Sequence, residues 1–361
     1  MERTANINLA AWRAKSATPG ANRLLSTKLF AGILIACAGA SALLATWVPL
    51  QFSIVTVFLF AGPHNWFELR YFLMRLPVRF GKSRPFFITA FAGIGLLTLA
   101  YLSFPLLNNF NLLPEQHWTT ILAAWNTLLI LWLAALVWLR GTNKPKRDWS
   151  WAFPVAFALC ALNWMTPEFF SLALVYLHPL VALWFLDRHI ARTRPEWQRT
   201  YRRCLCLLPL LLLGLVCQLA RTPDLADDNG LFWRITQHAG AQMLPGVSSH
   251  FLVSVHVFLE MLHYGVWLLA LPLIAPLLNG KQEKSVKRRE RGAIWRVRSI
   301  PVANHPRGFP RLIAVGLAGG VFMVALLWFG FSVDYATTRD IYFTVAIAHV
   351  LAEAPFLLRM L

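Results

Sequence analysis

Long apolar runs recur along the chain, and they restrict the folds it can adopt more than any other feature. Segments 29–49, 86–107 and 312–332 contain no charged side chain, and about 20 such residues cross the hydrocarbon core of a bilayer. Every backbone N–H and C=O in that core must be paired within the protein, which long segments achieve as helices. Hydrophobic residues make up 57% of the chain and charged residues 14%, which is more apolar than a usual soluble domain. The sequence predicts an all-α fold, a polytopic integral-membrane helix bundle.

The basic residues are concentrated in the connections between apolar runs, and their distribution predicts the topology. Lys and Arg crowd the connections after the second, fourth, sixth and eighth runs, while the other connections hold few of them. Cytoplasmic loops of membrane proteins carry this excess, so ten spans with both termini in the cytoplasm are expected. The predicted spans are 29–49, 51–74, 86–107, 119–140, 150–163, 169–187, 204–219, 246–275, 312–332 and 341–360.

This topology gives the chain a simple domain organisation. Residues 1–28 form a cytoplasmic tail, and residues 29–361 form a single transmembrane domain with a basic cytoplasmic loop at 277–311. The net charge of +18 lies largely in the connections, where it favours contact with anionic membrane lipids. No stretch resembles a nucleic-acid recognition module, so nucleic acid is not an expected partner.

Ionisable side chains occur inside several spans, where they are costly and usually functional. The eighth span carries His256, Glu260 and His263, which share one helix face at positions i, i+4 and i+7. The same spacing of His and Glu occurs in the second and tenth spans, at His64 and Glu68 and at His349 and Glu353.

All strongly polar residues of the spans fall on the even-numbered spans. The odd-numbered spans have no Asp, Glu, His, Lys or Arg in their interiors. The even-numbered spans run in one direction, and the helical rise puts their polar side chains in one or two layers near the middle of the membrane. We therefore expect the even-numbered helices to form an inner ring around a shared polar site, with the odd-numbered helices outside it.

These polar side chains are of the types that bind transition metals. Imidazole and carboxylate ligands suit iron, zinc, copper or manganese, and a bound cation offsets the charge of buried carboxylates. Many histidines, few carboxylates and no thiolate favour non-haem iron. The predicted metal ligands are His64, His178, His256, His263 and His349. The predicted catalytic residues, acting as ligands or proton carriers, are Glu68, Glu260 and Glu353.

Three amide or guanidinium side chains are expected to support this site. Asn65 and Arg70 are predicted to orient the ligands by hydrogen bonds. Asn126 either does the same or bonds to a neighbouring helix. His178 precedes a proline, so it either binds metal or satisfies a kinked backbone. The histidines in predicted connections, given no role, are His117, His238 and His305.

The segment 62-GPHNWFE-68 resembles the Pro-His-x-x-x-acid motif of the Brp/Blh family, bacterial and archaeal membrane enzymes that cleave β-carotene to retinal with iron. The later His-x3-Glu pairs are similar to that family's histidines on separate spans, although Asn65 stands where the family has Gly and Glu68 where it has Asp. The resemblance implies a membrane iron oxygenase with metal bound by His64, His256 and His349. Its substrate would be a carotenoid, another isoprenoid or a fatty-acyl chain, and its location an inner (plasma) membrane of bacterial type.

Other functions stay open from the residues alone. Two histidines on facing helices can be axial ligands of haem, which would indicate a haem-binding or quinone-linked protein. Buried His and Glu chains also serve as proton relays in transporters, although the chain has no duplicated halves of the inverted-repeat kind. An assembly factor without chemistry is a further alternative. In the main hypothesis the partners are membrane lipids and an apolar small-molecule substrate.

Overall fold

A computed structural model describes residues 26–112, 114–142, 148–274, 300–306 and 308–360. Within these ranges the chain forms helices joined by short turns, and it contains no strand. Most of the predicted tail at 1–28 and of the predicted basic loop at 277–311 lies outside the described residues. The helices are α1 (Thr27–Trp47), α2 (Pro49–Arg75), α3 (Arg84–Asn109), α4 (Trp118–Thr142), α5 (Ala152–Met165), α6 (Pro167–Thr193), α7 (Pro195–Leu205), α8 (Leu207–Leu219), α9 (Gly230–His238), α10 (Ser249–Gly265), α11 (Leu271–Ile274), α12 (Pro301–Asn304), α13 (Pro310–Val333) and α14 (Tyr335–Met360).

Eight helical segments in the described part of the chain are long and apolar enough to cross a membrane. Three of them are composite. A 3₁₀ turn at Gly81–Ser83 leads into α3, α7 and α8 form one segment, and α10 continues through a π-helical turn into α11. The two other predicted spans correspond to α2, which has 27 residues but several ionisable side chains, and to α5, which has only 14 residues. The chain is thus an all-helical protein with the character of a multi-pass membrane bundle.

Five helices close a ring around the centre of the bundle. Helix α2 contacts α10 and α14, α10 contacts α6, α6 contacts α4, and α4 contacts α14. These five helices are the even-numbered predicted spans, so the prediction of an inner ring is confirmed.

The remaining long helices lie outside this ring, each in a groove between ring helices. Helix α1 packs on α2 and α10, α3 on α4 and α14, α5 on α4 and α6, and α13 on α2 and α14. On α13, the side chains of Leu312, Phe322 and Phe329 are 68%, 66% and 68% exposed. A continuous apolar surface of this kind is unfavourable in water and suits contact with acyl chains.

The seventh predicted span, at 204–219, is extended by a helix that we expected to be a basic loop. Helix α7 begins at Pro195 and is amphipathic, so its charged face hides it from a search for apolar runs. Arg202 donates from Nε and Nη2 to the two carboxylate oxygens of Asp187, at 2.9 and 3.0 Å, and this bidentate pair fixes α7 against the end of α6. Helix α8 then starts after Cys206.

Two further differences lie at the opposite end of the bundle, in stretches predicted as connections. Helix α9 forms because the side chain of Asn229 accepts a hydrogen bond from the backbone N–H of Phe232 at 2.8 Å, as an N-cap does. Helix α14 begins at Tyr335 rather than at residue 341 because Asp334 caps it, accepting from the N–H of Thr337 at 3.1 Å. Both changes bring polar residues of the connections into contact with the ring.

Candidate metal centre

Four imidazoles meet inside the ring, each from a different ring helix. The ring centroid of His64 on α2 lies 5.2 Å from those of both His263 on α10 and His349 on α14. The centroid of His178 on α6 lies 4.7 Å from that of His263 and 5.3 Å from that of His349. The fifth separation, between His263 and His349, is 6.2 Å. The imidazoles therefore form a closed square across the centre of the bundle.

Two glutamates join these imidazoles, and the six side chains are called the His/Glu cluster below. The ligand atoms fall into two groups, in each of which all atoms lie within 4.8 Å of one another. The first group is His64, Glu68, His263 and His349, and the second is His178, His263 and Glu353. His263 belongs to both groups, which makes the cluster continuous. Within the second group, His178 Nδ1 lies 3.3 Å from Glu353 Oε2.

Several polar atoms of the His/Glu cluster are buried without a hydrogen-bonding partner among the described protein atoms. They are both oxygens of Glu68, both ring nitrogens of His263, Nδ1 of His349 and Oε1 of Glu353. His64 differs, because its Nδ1 lies 3.0 Å from the carbonyl oxygen of Phe60. Donation from Nδ1 leaves the other nitrogen of His64 with the lone pair a metal needs. Buried polar atoms are normally paired. A neutral imidazole has one acceptor nitrogen and one N–H donor, and a cation is one partner that could serve the acceptors among these atoms.

Each of the four helices that supply these ligands contains a proline or a π-helical turn near the cluster. Pro63 precedes His64 and Pro179 follows His178, so α2 and α6 each lack a backbone N–H donor at this level. Pro355 stands in α14 shortly after Glu353. In α10 a π-helical turn, Val266–Ala270, begins soon after His263, and such turns are frequent at functional sites. These irregularities let four helices aim side chains at one point.

Two of the predicted site residues, His256 and Glu260, lie apart from the His/Glu cluster. Neither residue belongs to the two groups of ligand atoms. The ring of His256 packs 5.9 Å from that of Tyr176, and Glu260 Oε1 accepts a hydrogen bond from the Tyr264 hydroxyl at 2.6 Å. A shared helix face does not imply a shared depth, because seven residues of helix extend about 10 Å. Only His263 of this span lies at the level of the cluster.

The structure places the three predicted supporting residues in different environments. Asn65 lies within hydrogen-bonding reach of the Tyr342 hydroxyl. The guanidinium of Arg70 lies 6.0 Å from the ring of Trp66, whose indole N–H donates to a backbone carbonyl of α13, so Arg70 is on the outer side of α2. Asn126 donates to two oxygen atoms of α6 at 3.2 and 3.3 Å, which matches the alternative of a bond to a neighbouring helix.

Sequence reasoning missed a second polar group, which lies between the His/Glu cluster and α9. Tyr264 packs its ring 4.6 Å from that of His64 and donates to Glu260, while Tyr342 hydrogen-bonds to Tyr264. Arg339, only 2% exposed, lies in the same region. The cap at Asp334, which extends α14 to include Arg339, was the signal that could have revealed part of this group.

His238 is a further missed residue, since it was assigned to a loop without a role. Its ring lies 4.4 Å from Phe343 and 5.1 Å from His256. It belongs to α9, outside the spans. Burial, reinforced by the positive charge of Arg339, holds the pKa of His238 well below its ordinary value. The Asn229 cap and the amphipathic sequence of α9 were the available signals.

A cavity of about 500 Å³ extends from the imidazoles of the His/Glu cluster to His238. All four imidazoles of the His/Glu cluster line it, as do His238, His256 and Glu260. Elsewhere its wall is aromatic and aliphatic, with Tyr101, Trp125, Leu129, Trp132 and Ile347. The indole N–H groups of Trp125 and Trp132 donate to backbone carbonyls of α3, at 3.0 and 2.9 Å, so their apolar ring surfaces are left to form the wall.

Together these observations define a helical membrane bundle with a buried His/Glu centre beside an apolar cavity. Comparison of the chain with protein-family models, with curated proteins and with solved structures gave no match.

Proposed function

We propose that this protein is an integral-membrane, non-haem-iron oxidative enzyme that acts on an apolar substrate such as an isoprenoid, a carotenoid or a fatty-acyl chain. The observation that carries the proposal is the square of four imidazoles, one from each of four ring helices. It is joined by the buried Glu68 carboxylate, which has no hydrogen-bonding partner among the described residues. Bound iron would supply activation of O₂, and the membrane would deliver the substrate.

The donor set suits a divalent cation in size and charge. Metal–nitrogen bonds of about 2.1 Å put opposite ligand atoms about 4 Å apart, slightly less than the 4.8 Å limit within which the donor atoms of each group lie. A divalent ion also balances the charges of Glu68 and Glu353, which are 0% and 3% exposed and costly to ionise alone. His178 can donate to Glu353, so that this carboxylate orients a ligand imidazole.

The same geometry favours a bare ion over haem. Haem needs two axial ligands and a flat slot for the porphyrin between them. Here the space around any facing pair of imidazoles is taken by the other two imidazoles and by carboxylates, with ring centroids 4.7 to 6.2 Å apart. The alternative of a haem protein is therefore the weaker one.

The cavity supports an apolar substrate. Its aromatic and aliphatic wall would bury an elongated hydrocarbon by the hydrophobic effect, and the four imidazoles lie on the same cavity. Lipophilic substrates reach such sites from the bilayer, so membrane lipids and an apolar small molecule are the proposed partners. The topology of ten spans with both termini in the cytoplasm of a bacterial-type inner membrane belongs to the same proposal.

Elemental analysis of the purified protein with an optical spectrum tests this function. We expect iron to bind in stoichiometric amount after anaerobic loading with Fe²⁺, without a Soret band. His263→Ala should lose most of the iron. His250→Ala is the matched control on the same helix, because His250 bonds instead to the Thr46 carbonyl at 2.9 Å. A His263→Ala protein that keeps its metal would contradict the proposal, and a Soret band would establish the haem alternative.

A further inference from the structure

A second polar site lies at the end of the bundle where the ring helices α2, α4, α6 and α14 terminate. Each of these helices carries an arginine in or next to its last turn, namely Arg75, Arg140, Arg192 and Arg359. Three of them, Arg75, Arg192 and Arg359, line a cavity of about 380 Å³, which we call the arginine pocket. It is separate from the cavity that contains the His/Glu cluster.

Three of the four arginines, all except Arg75, donate to backbone carbonyls at the helix ends. Arg359 Nη1 donates to the carbonyl of Arg75 at 2.8 Å, and Arg192 Nη2 to that of Met360 at 2.7 Å. Arg140 donates to the carbonyls of Leu358 and Arg359, at 3.1 and 3.3 Å. Helix C-termini favour such cations. These bonds use a minority of the five N–H donors of each guanidinium, and among the described residues the structure shows no partner for the other donors of Arg192 and Arg359.

This concentration of positive charge has no carboxylate to balance it among the residues that the structure describes. The salt bridges among the described residues involve side chains other than these four arginines. Arg359 lies within electrostatic range of Arg75, Arg140 and Arg192 at once. Like charges gathered at the edge of a low-dielectric bundle repel one another, so an anion that enters the arginine pocket relieves this repulsion.

The walls of the arginine pocket combine hydrogen-bond donors with apolar surface. Tyr71 lines it, and its hydroxyl lies 2.7 Å from Nδ1 of His189. Arg75 Nη2 donates to the same nitrogen at 3.2 Å. Phe185 and Phe356 form part of the apolar wall. Arginine forks match the geometry of phosphate oxygens, and basic pockets between transmembrane helices bind anionic headgroups.

We infer that the arginine pocket binds a phosphate group, presented either by the headgroup of an anionic phospholipid or by a soluble phosphate. The guanidinium groups of Arg75, Arg192 and Arg359 donate to its oxygens, and the apolar wall accommodates the adjoining part of a lipid. This site requires no metal and is independent of the function proposed above.

Binding of lipid and of free phosphate to the full-length protein tests the inference. In native mass spectrometry, dioleoylphosphatidylglycerol should bind more tightly than dioleoylphosphatidylcholine. If the phosphate group comes from a soluble molecule, inorganic pyrophosphate should raise the unfolding temperature of the protein in phosphatidylcholine nanodiscs. The Arg75→Gln/Arg192→Gln variant should bind either ligand less tightly, with an affinity about tenfold lower for each guanidinium removed. This is the loss expected when a charge-assisted hydrogen bond is removed.

A matched control removes the same charge from the same end of the bundle. Arg199→Gln/Arg203→Gln on α7 should change the affinity by less than about twofold, since neither side chain lines the arginine pocket and charges at a distance are screened by salt. If the double variant of the pocket aggregates, Arg192→Gln alone serves, because its one hydrogen bond among the described residues is to a helix-end carbonyl. Equal affinity in the pocket and control variants, or no binding of either ligand, would overturn the inference.

Discussion

Replacement of Glu68 by leucine is expected to have opposite effects on the metal-free and metal-loaded protein. The Glu68 side chain is 0% exposed, and neither carboxylate oxygen has a hydrogen-bonding partner among the described atoms. Without metal, this group is a buried and unsatisfied polar side chain, which costs about 1–3 kcal/mol. Leucine has a similar size and no polar atom, so Glu68→Leu should stabilise the metal-free protein.

In the metal-loaded protein the effect of Glu68→Leu on stability has the opposite sign, because Glu68 belongs to the first group of ligand atoms. Loss of one ligand or its orienting partner typically weakens metal binding by about 10–100-fold, which is about 1.4–2.8 kcal/mol of lost stabilisation. The variant should therefore show a smaller metal-induced rise in unfolding temperature. In the absence of metal it should unfold about 1–4 °C higher than the wild type.

The assay is thermal unfolding in detergent, with and without Fe²⁺ under anaerobic conditions. Glu196→Leu is the control, since Glu196 is exposed and its contact with Arg194 is at 3.7 Å. If Glu68→Leu lowered the unfolding temperature of the metal-free protein, the buried carboxylate would not be destabilising, and the reasoning would be refuted. If Fe²⁺ stabilised the wild type and the variant equally, Glu68 would have no part in metal binding.

Three other substitutions test the surroundings of the site. Gly93→Ala should destabilise the protein by about 1–3 kcal/mol, because a Cβ there would overlap the indole of Trp132. Tyr264→Phe should cost about 1–3 kcal/mol in unfolding free energy, since it removes a buried donor to Glu260. His238→Phe should reduce the loss of stability on acidification. The depressed pKa of His238 keeps it neutral in the folded state while the unfolded chain takes up a proton below about pH 6.5, which costs about 1.4 kcal/mol per pH unit.

Each of these results has a contrasting outcome. Gly95→Ala is the control for Gly93→Ala, because nothing lies within 4 Å of a Cβ at Gly95; equal losses in denaturation would refute the clash. Adding Glu260→Leu to Tyr264→Phe should restore part of the stability, as removal of both partners does. For His238→Phe, the unfolding temperature of the variant and of the wild type is measured between pH 5 and pH 7. Identical pH profiles would argue against a buried neutral His238.

The helix ring could be predicted from sequence because two strong signals agree. Hydropathy gave the positions of the helices, and the confinement of polar residues to alternate spans indicated which helices face inward. His64, His178, His263 and His349 were all among the predicted ligands, and the structure brings them together.

The level of each side chain along its helix could not be predicted in the same way. Periodicity gives the face of a helix, but the relative heights of helices depend on their packing and on kinks such as those beside Pro63 and Pro179. His256 and Glu260 were therefore grouped with His263 although they lie at another depth. His238 and Arg339 were missed because capped helical turns extend beyond the apolar runs that define a span.

The four imidazoles of the His/Glu cluster lie far apart in the chain, from His64 to His349, so their helices are synthesised at different times. His349 belongs to the final long helix, so the square closes only after that helix has entered the bundle. An ion held by His64, His263 and His349 would then connect early and late parts of the chain, and its binding energy would favour the fully assembled state. Under the proposed function, the supply of metal during biogenesis would therefore affect how much of the protein reaches this assembled state.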